Sequence, residues 1–189
     1  MSGLVGLLLC AGASTRFGAD KLLAALPDGR TIGQAACANL VAVAETLAVV
    51  RPGATALADL LRREGARVVE CEYAGEGMGA SLACGVRAAA DAIGWIVALG
   101  DMPWIRAATI EAVAAALERG ERLVAPCFRG ARGHPVGFGR DYYPLLSGLG
   151  GDEGARDMLQ AAGTEFCRLD CDDPGVLRDV DTVSDLKDK

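Results

Sequence analysis

The sequence predicts an α/β protein in which helices cover both faces of a mostly parallel β-sheet. Short apolar runs alternate with helical segments along the first two thirds of the chain, and the connections are short. The first run, Leu4–Leu9, contains no polar side chain, which is typical of a strand buried on both faces. With 189 residues, of which 51% are hydrophobic, the chain is expected to form one domain over residues 1–189.

The remaining elements are assigned in order from apolar runs and helical spacing. Strands are predicted at 47–51, 67–71, 95–99 and 123–126, and helices at 31–44, 54–64, 80–92 and 107–119. Beyond Gly130 the pattern loosens. There we expect a strand at 135–138, helical segments at 141–146 and 153–162, a strand at 165–169 and a closing helix at 182–188. Pro174 and Gly175 mark the acidic stretch before them as a turn.

Charge and rare residues exclude several classes of function. The net charge is −6 and no run of Lys or Arg occurs, which argues against nucleic-acid binding, although backbone dipoles can still bind a small anion. His134 is the only histidine, so zinc sites that need two histidines are excluded. The seven cysteines form no C-x-x-C pair, and no stretch reaches transmembrane length. Both features favour a reduced, cytoplasmic protein that does not bind membranes.

The loop after the first predicted strand combines small residues with two cations. Small side chains at residues 10–18 let backbone N–H groups approach phosphate oxygens, and Arg16 and Lys21 could neutralise a triphosphate. The loop matches neither the G-x-G-x-x-G nor the G-x-x-x-x-G-K-[ST] pattern. The alternative is an ordinary turn with solvated charges. In either case Lys21 is expected to be an exposed loop residue that contributes little to stability.

The loops after the third and fourth predicted strands hold further candidate ligands. Gly77 and Gly79 permit close backbone approach, and Ser81 offers a hydroxyl at a helix start, where it could also serve as the N-cap. Asp101 ends a central apolar strand, where a carboxylate is costly unless it binds something. Mg²⁺ is the expected ligand, with a helix cap as the alternative. Ligands of open α/β sheets bind beyond the carboxyl ends of the strands, so these loops are expected to share one edge.

Six segments, in sequence order, resemble the motifs of molybdenum cofactor cytidylyltransferases and the related MobA-like NTP transferases. They are LLCAGASTRFGADK at 8–21, GMGASL at 77–82, LGDMP at 99–103, RGHPV at 132–136, GDEGAR at 151–156 and DVDT at 179–182. Cys10 and Phe17 stand where the first motif has Ala and Met. The stretch between Lys21 and Leu47 departs most from the family pattern.

This resemblance implies a Rossmann-like three-layer fold of the nucleotide-diphospho-sugar transferase type. It also implies Mg²⁺-dependent transfer of CMP from CTP to the terminal phosphate of molybdopterin, with CTP favoured by Ala11. Arg16, Lys21 and Asp101 would be catalytic, and Asp101 and Asp181 would hold the metal. The nucleotide-binding residues would be Cys10, Ala11, Gly12, Ala13, Ser14, Arg16, Lys21, Gly77, Gly79 and Ser81. The acceptor-binding residues would be Gly133, His134, Pro135, Asp152 and Arg156, and backbone amides at glycines 130 and 133 would be available to the acceptor phosphate.

Several alternatives remain open at the level of sequence. The chain could be a guanylyltransferase of the same family, or a transferase that acts on a sugar phosphate or alditol phosphate. It could also be a non-catalytic chaperone that binds a cofactor and passes it to an apoenzyme. The expected protein partner is an apo-molybdoenzyme or its chaperone. Asp152 and Arg156, four residues apart, could simply pair with each other on a helix.

Overall fold

The computed structural model describes residues 3–12, 20–151 and 166–186. Its strands are β1 Leu4–Leu9, β2 Glu45–Val50, β3 Arg67–Glu70, β4 Gly94–Leu99, β5 Leu123–Phe128, β6 Ala131–Arg132, β7 Val136–Gly139 and β8 Cys167–Asp170. Its α-helices are α1 Ile32–Val41, α2 Thr55–Arg63, α3 Met78–Ala88, α4 Ala107–Glu118 and α5 Tyr143–Ser147. Short 3₁₀ helices occur at Lys21–Leu23, Ala74–Glu76, Arg140–Tyr142, Pro174–Leu177 and Val183–Leu186.

The strands form one mixed sheet that is mostly parallel. Strands β3, β2, β1 and β4 lie side by side in that order and run parallel. Strand β7 lies antiparallel between β4 and β5, while β6 pairs antiparallel with β5 and β8 pairs parallel with it. The carboxyl ends of β1, β2, β4 and β5 therefore meet at one edge. The predicted fold class, an α/β fold with a mostly parallel central sheet, is confirmed.

Two hydrophobic clusters place the sheet between two helical layers. Leu8 of β1 packs in the cluster that contains Leu40 of α1 and Val113 of α4. Leu7 of β1 packs in the other cluster, with Val86 of α3. Because successive strand residues point to opposite faces, neighbouring residues of β1 enter different clusters. The apolar run that predicted this strand is thus explained by burial on both faces.

The observed elements differ from the predicted ones mainly at their ends. Helix α3 begins at Met78, two residues before the predicted start, because Gly77 serves as its N-cap with φ of 137°. The predicted strand at 123–126 extends to Phe128 and turns back into β6, which was not predicted. The segment at 141–146 is a 3₁₀ turn followed by the five-residue α5, and the closing helix is a 3₁₀ turn at Val183–Leu186. The helix predicted at 153–162 lies outside the described residues.

Asp173 anchors the segment that leads from β8 back to the site edge. Its buried carboxylate accepts hydrogen bonds from the Arg106 backbone N at 2.9 Å, the Thr109 hydroxyl at 2.7 Å and the Gly175 backbone N at 3.0 Å. Arg106 precedes α4 and supplies no side-chain cap of its own. The acidic stretch interpreted as a turn therefore also caps a distant helix, which holds the two elements together.

The segment after Asp173 runs beside two of the predicted motifs. Val176 accepts a hydrogen bond at its carbonyl from the His134 backbone N at 2.9 Å. Val180 donates its backbone N–H to the carbonyl of Asp101, also at 2.9 Å. Residues 176–180 therefore connect the loop after β6 to the loop after β4. Within the described ranges, no helix is long and apolar enough to cross a membrane.

Asp173→Ala is expected to lower the free energy of unfolding by about 1–3 kcal/mol, because three donors lose their buried acceptor. Urea denaturation followed by circular dichroism measures the change. Asp172→Ala is the matched control, since Asp172 is exposed and its contact with Arg106 uses the backbone carbonyl. Equal stability of the two variants would contradict the anchoring role.

Candidate active site

A cavity of about 410 Å³ opens at the carboxyl edge of the sheet. The first loop contributes Cys10, Ala11 and Gly12 to its wall, and the turn leading into α3 contributes Gly77 and Ser81. Lys21 and Asp101 also line it. The volume lies within the range of about 300–1,000 Å³ that is usual for small-molecule sites. Three of the segments singled out in the sequence therefore border one cavity, whereas Gly79 is buried beside it.

Lys21 is the centre of an ionic cluster at this cavity. Its Nζ lies 2.8 Å from Asp101 Oδ2, 2.9 Å from the Val180 carbonyl oxygen and 3.5 Å from Asp181 Oδ1. An ammonium has three N–H donors, so these acceptors occupy all of them. Lys21 thereby joins the start of a 3₁₀ helix, the loop after β4 and the C-terminal segment.

The expectation that Lys21 is an exposed loop residue is wrong. Its side chain is only 14% exposed, and that of Asp101 is 23% exposed. Desolvation lowers the pKa of Lys21, but the hydrogen bond and charge of Asp101, together with the charge of Asp181, outweigh it and raise the pKa above its ordinary value. Because the pair is mostly buried, loss of the ammonium would leave a carboxylate without its partner.

Asp101 retains an unsatisfied oxygen. Its Oδ1 atom is buried and has no hydrogen-bond partner among the described residues, while Oδ2 is bound to Lys21. Asp179 lies near the same cluster. Burial raises the pKa of Asp179, and the charges of Asp181 and Asp101 raise it further. A cation would satisfy the free oxygen, and Mg²⁺ is usually held by one or two carboxylates plus substrate phosphates. Asp101 and Asp181 fit that requirement, although no group of three or more metal-binding side chains occurs within the described ranges.

Ser81 lies inside the first turns of α3. The N-cap of α3 is Gly77, so the alternative in which Ser81 caps the helix is wrong. The Ser81 hydroxyl instead donates to the Gly77 carbonyl at 3.4 Å, a long contact that a ligand could replace. Ser81 and Gly77 thus border the cavity from the face of the sheet that α3 covers.

Cys10 is a buried residue of the cavity wall. It is buried at the end of β1, and a Cβ on Gly100 would lie 2.7 Å from its Sγ. Burial, and then the charges of Cys37 and Asp101, raise the pKa of the Cys10 thiol well above its ordinary value. The thiol is therefore protonated at neutral pH and acts as a small apolar side chain, as the alanine of the motif would.

The loop with the predicted acceptor residues packs against the 176–180 segment. His134 Nδ1 is buried without a hydrogen-bond partner among the described residues, although the residue as a whole is only half-buried. Desolvation and the charge of Arg132 lower the pKa of His134, against an opposing effect of Asp101, so the ring is neutral at pH 7. The Asp101 effect means that the imidazole is within electrostatic range of the ionic cluster. Pro135 is buried next to it, after a cis peptide bond.

One of the two glycine amides expected to meet an acceptor phosphate, that of Gly133, is already occupied. The Gly133 N–H donates to the Pro126 carbonyl at 2.8 Å, and the His134 N–H donates to Val176. Neither amide is available to an acceptor phosphate. Gly133 is needed for close packing instead, because a Cβ there would collide with the Val176 carbonyl oxygen and side chain.

The structure brings together Cys10, Ala11, Gly12, Lys21, Gly77, Ser81, Asp101 and Asp181 around the cavity and its ionic cluster. Five predicted site residues lie outside the described residues: Ala13, Ser14, Arg16, Asp152 and Arg156. Arg51 and the Val180 carbonyl were not predicted from the sequence. Arg51 lines the cavity directly after the end of β2, so its place at the carboxyl end of a buried strand was the signal that could have identified it.

Comparisons with known proteins agree with this geometry. A family model described as the MobA-like NTP transferase domain matches residues 6–166. The purine catabolism protein PucB of Bacillus subtilis is 33% identical, over 95% of this chain and 92% of PucB. Nicotine blue oxidoreductase of Paenarthrobacter nicotinovorans is 28% identical, over 97% of this chain and 94% of its own.

Solved structures show the same fold. Rv0371c from Mycobacterium tuberculosis superimposes with a TM-score of 0.83 at 25% identity, covering 98% of this chain and 97% of its own. The manganese complex of that protein gives a TM-score of 0.78 at 24% identity, over 97% and 96% of the two chains. A nucleotidyl transferase from Methanothermobacter thermautotrophicus gives 0.77 at 26% identity, over 96% and 93%. The cavity, its ionic cluster and the match over most of the sequence lead to one conclusion: this chain belongs to the MobA-like NTP transferase domain family.

Proposed function

We propose that this chain is a Mg²⁺-dependent cytidylyltransferase that transfers CMP from CTP to the terminal phosphate of a molybdopterin-type cofactor. One observation carries the proposal. A lysine holds two carboxylates at the end of a nucleotide-sized cavity, and one oxygen of Asp101 is left without a partner among the described residues. Such a cluster suits a site that binds phosphates and a divalent cation. Family membership supports NTP transfer, and the choice of CTP and of the acceptor rests on the sequence motifs.

In the proposed reaction no protein side chain forms a covalent bond to the substrates. A phosphate oxygen of the acceptor attacks the α-phosphorus of CTP, the bond to the bridging oxygen breaks, and pyrophosphate leaves with that electron pair. A phosphate monoester is largely ionised at pH 7, because its second pKa is about 6, so no general base is needed. The chain's task is to align two anions and to reduce their repulsion.

Each described residue has a proposed part in that task. Asp101 would hold Mg²⁺ through Oδ1, with Asp181 as a second ligand; the ion supplies charge neutralisation at the phosphates. Lys21 would keep Asp101 in place and could exchange its longest contact, to Asp181, for a phosphate oxygen. Backbone at Cys10, Ala11 and Gly12 would face the nucleotide. His134, near the cluster but beyond the cavity wall, would lie on the acceptor side, from which the product would pass to an apo-molybdoenzyme or its chaperone.

The similarity to nicotine blue oxidoreductase supports one competing function, an oxidoreductase reaction. The lysine–dicarboxylate cluster, with one Asp101 oxygen that has no partner among the described residues, suits a cation and phosphates and therefore favours nucleotidyl transfer. Guanylyl transfer, a sugar-phosphate or alditol-phosphate acceptor, and a non-catalytic chaperone remain distinct outcomes of a pyrophosphate-release assay.

Pyrophosphate release should require CTP, Mg²⁺ and molybdopterin-type cofactor together. The assay supplies either CTP or GTP. Each nucleotide is tested with the cofactor, with an alditol phosphate and with no acceptor. A parallel assay follows NADPH oxidation. Turnover with GTP but not with CTP would identify a guanylyltransferase. Turnover with the alditol phosphate but not with the cofactor would identify the alditol phosphate as the acceptor. Nucleotide binding without pyrophosphate release would support the chaperone, and NADPH oxidation would support the oxidoreductase.

Lys21→Ala should abolish transfer and lower the free energy of unfolding by about 1–3 kcal/mol, because the Asp101 carboxylate loses its partner. Activity and urea denaturation are measured on the same preparation. Arg62→Ala is the control, because Arg62 forms an exposed ion pair with Asp59 on α2. Normal turnover by Lys21→Ala would remove Lys21 from the mechanism.

Asp101→Asn should remove the Mg²⁺ dependence of CTP binding, because the neutral amide cannot replace the carboxylate as a ligand. Isothermal titration calorimetry with Mg²⁺ and with EDTA measures it. Asp28→Asn, at an exposed pair with Arg30, serves as the control. If Asp101→Asn binds CTP with unchanged affinity in Mg²⁺, Asp101 does not hold the metal.

A further inference from the structure

Arg51 is a cation at the cavity that none of the recognised motifs includes. It comes directly after β2, which lies beside β1 in the sheet, so it enters the cavity from the strand next to the small-residue loop. Its side chain is 38% exposed. No hydrogen bond of its guanidinium occurs among the described residues. Its nearest carboxylate is Asp20, whose Oδ2 lies 3.7 Å from Nη2, beyond hydrogen-bond distance.

The other cation of the described cavity wall, Lys21, has no unoccupied N–H donor. All three N–H groups of Lys21 are directed at Asp101, Val180 and Asp181. The guanidinium of Arg51 has five N–H donors in a planar fork, a geometry that matches the oxygens of a phosphate. In the described part of the wall, Arg51 is therefore the cation that can meet an anion without first breaking a hydrogen bond.

The charges around the cavity favour a role for such a cation. Asp101, Asp179 and Asp181 lie around Lys21, Asp20 lies beside Arg51, and the chain carries a net charge of −6. A triphosphate that approaches these carboxylates meets repulsion unless a positive group receives it. The loose contact with Asp20 keeps the guanidinium at the cavity without occupying its donors.

We propose that Arg51 binds the polyphosphate of the nucleotide, while Lys21 positions the two carboxylates. The inference rests on the proposed nucleotide site and adds a residue to it. In this inference Arg51 contacts the phosphates of the nucleotide and not its base.

Isothermal titration calorimetry at fixed Mg²⁺ and ionic strength tests this with three probes: inorganic tripolyphosphate, CTP and cytidine. Arg51→Ala should weaken tripolyphosphate and CTP by about ten- to a hundredfold, as expected for charge-assisted hydrogen bonds. Cytidine, which has no phosphate, should bind both proteins equally. The salt dependence of tripolyphosphate binding should also become less steep.

Two further variants separate binding from a structural role. Arg30→Ala is the matched control, because Arg30 is paired with Asp28 and does not line the cavity; its affinities should not change. Asp20 Oδ1 accepts a hydrogen bond from the Leu22 backbone N–H at 3.3 Å. Asp20→Asn keeps an oxygen for that hydrogen bond but removes the charge near Arg51. It should bind tripolyphosphate at least as tightly as the unmodified protein. If Arg51 merely fixed Asp20, Asp20→Asn would instead reproduce the loss seen in Arg51→Ala.

Three results would overturn the inference: unchanged tripolyphosphate affinity in Arg51→Ala, no tripolyphosphate binding by the unmodified protein, or an equal loss for cytidine and CTP. The last result would assign Arg51 to the base. These outcomes are distinct from failure of the proposed function. A protein that releases no pyrophosphate can still bind tripolyphosphate through Arg51, and a working transferase can bind it without Arg51.

Discussion

The site depends on the position of one ammonium group. Lys21 Nζ connects Asp101, the Val180 carbonyl and Asp181, which come from parts of the chain 80 and about 160 residues away from it. Without that positive charge, two carboxylates would face each other in a partly buried place, where like charges repel strongly. The backbone bond from Val180 to Asp101 brings the C-terminal segment to the same point. A local electrostatic requirement therefore determines where three distant segments meet.

This arrangement explains how an acidic chain can bind an anionic ligand. The net charge of −6 describes the whole chain, whereas a ligand meets the groups of one cavity. There the lysine compensates carboxylates, and the arginine after β2 keeps its donors. The oxygen of Asp101 without a partner among the described residues is the local cost, and it is acceptable if a cation binds there.

Local patterns predicted most of the sheet, because each central strand is an apolar run that both helical layers bury. They failed where the deciding contact is distant or where the backbone is unusual. Ser81 offered a hydroxyl for the N-cap of α3, yet Gly77, with its positive φ, occupies that position. Lys21 suggested a solvated charge, because the partners that bury it come much later in the sequence. Gly133 was expected to offer its backbone amide to a phosphate, whereas that amide donates to the Pro126 carbonyl and Val176 packs against the glycine. Residue types were thus predictable and their partners were not.

Anomalous diffraction from crystals grown with CTP and Mn²⁺ is the most direct test of a metal-assisted nucleotide site at Asp101. We expect a manganese peak within coordination distance of Asp101 Oδ1 and a cytidine nucleotide in the cavity between the first loop and the start of α3. A nucleotide bound elsewhere, or a cavity that holds the nucleotide with no manganese at Asp101, would contradict this site.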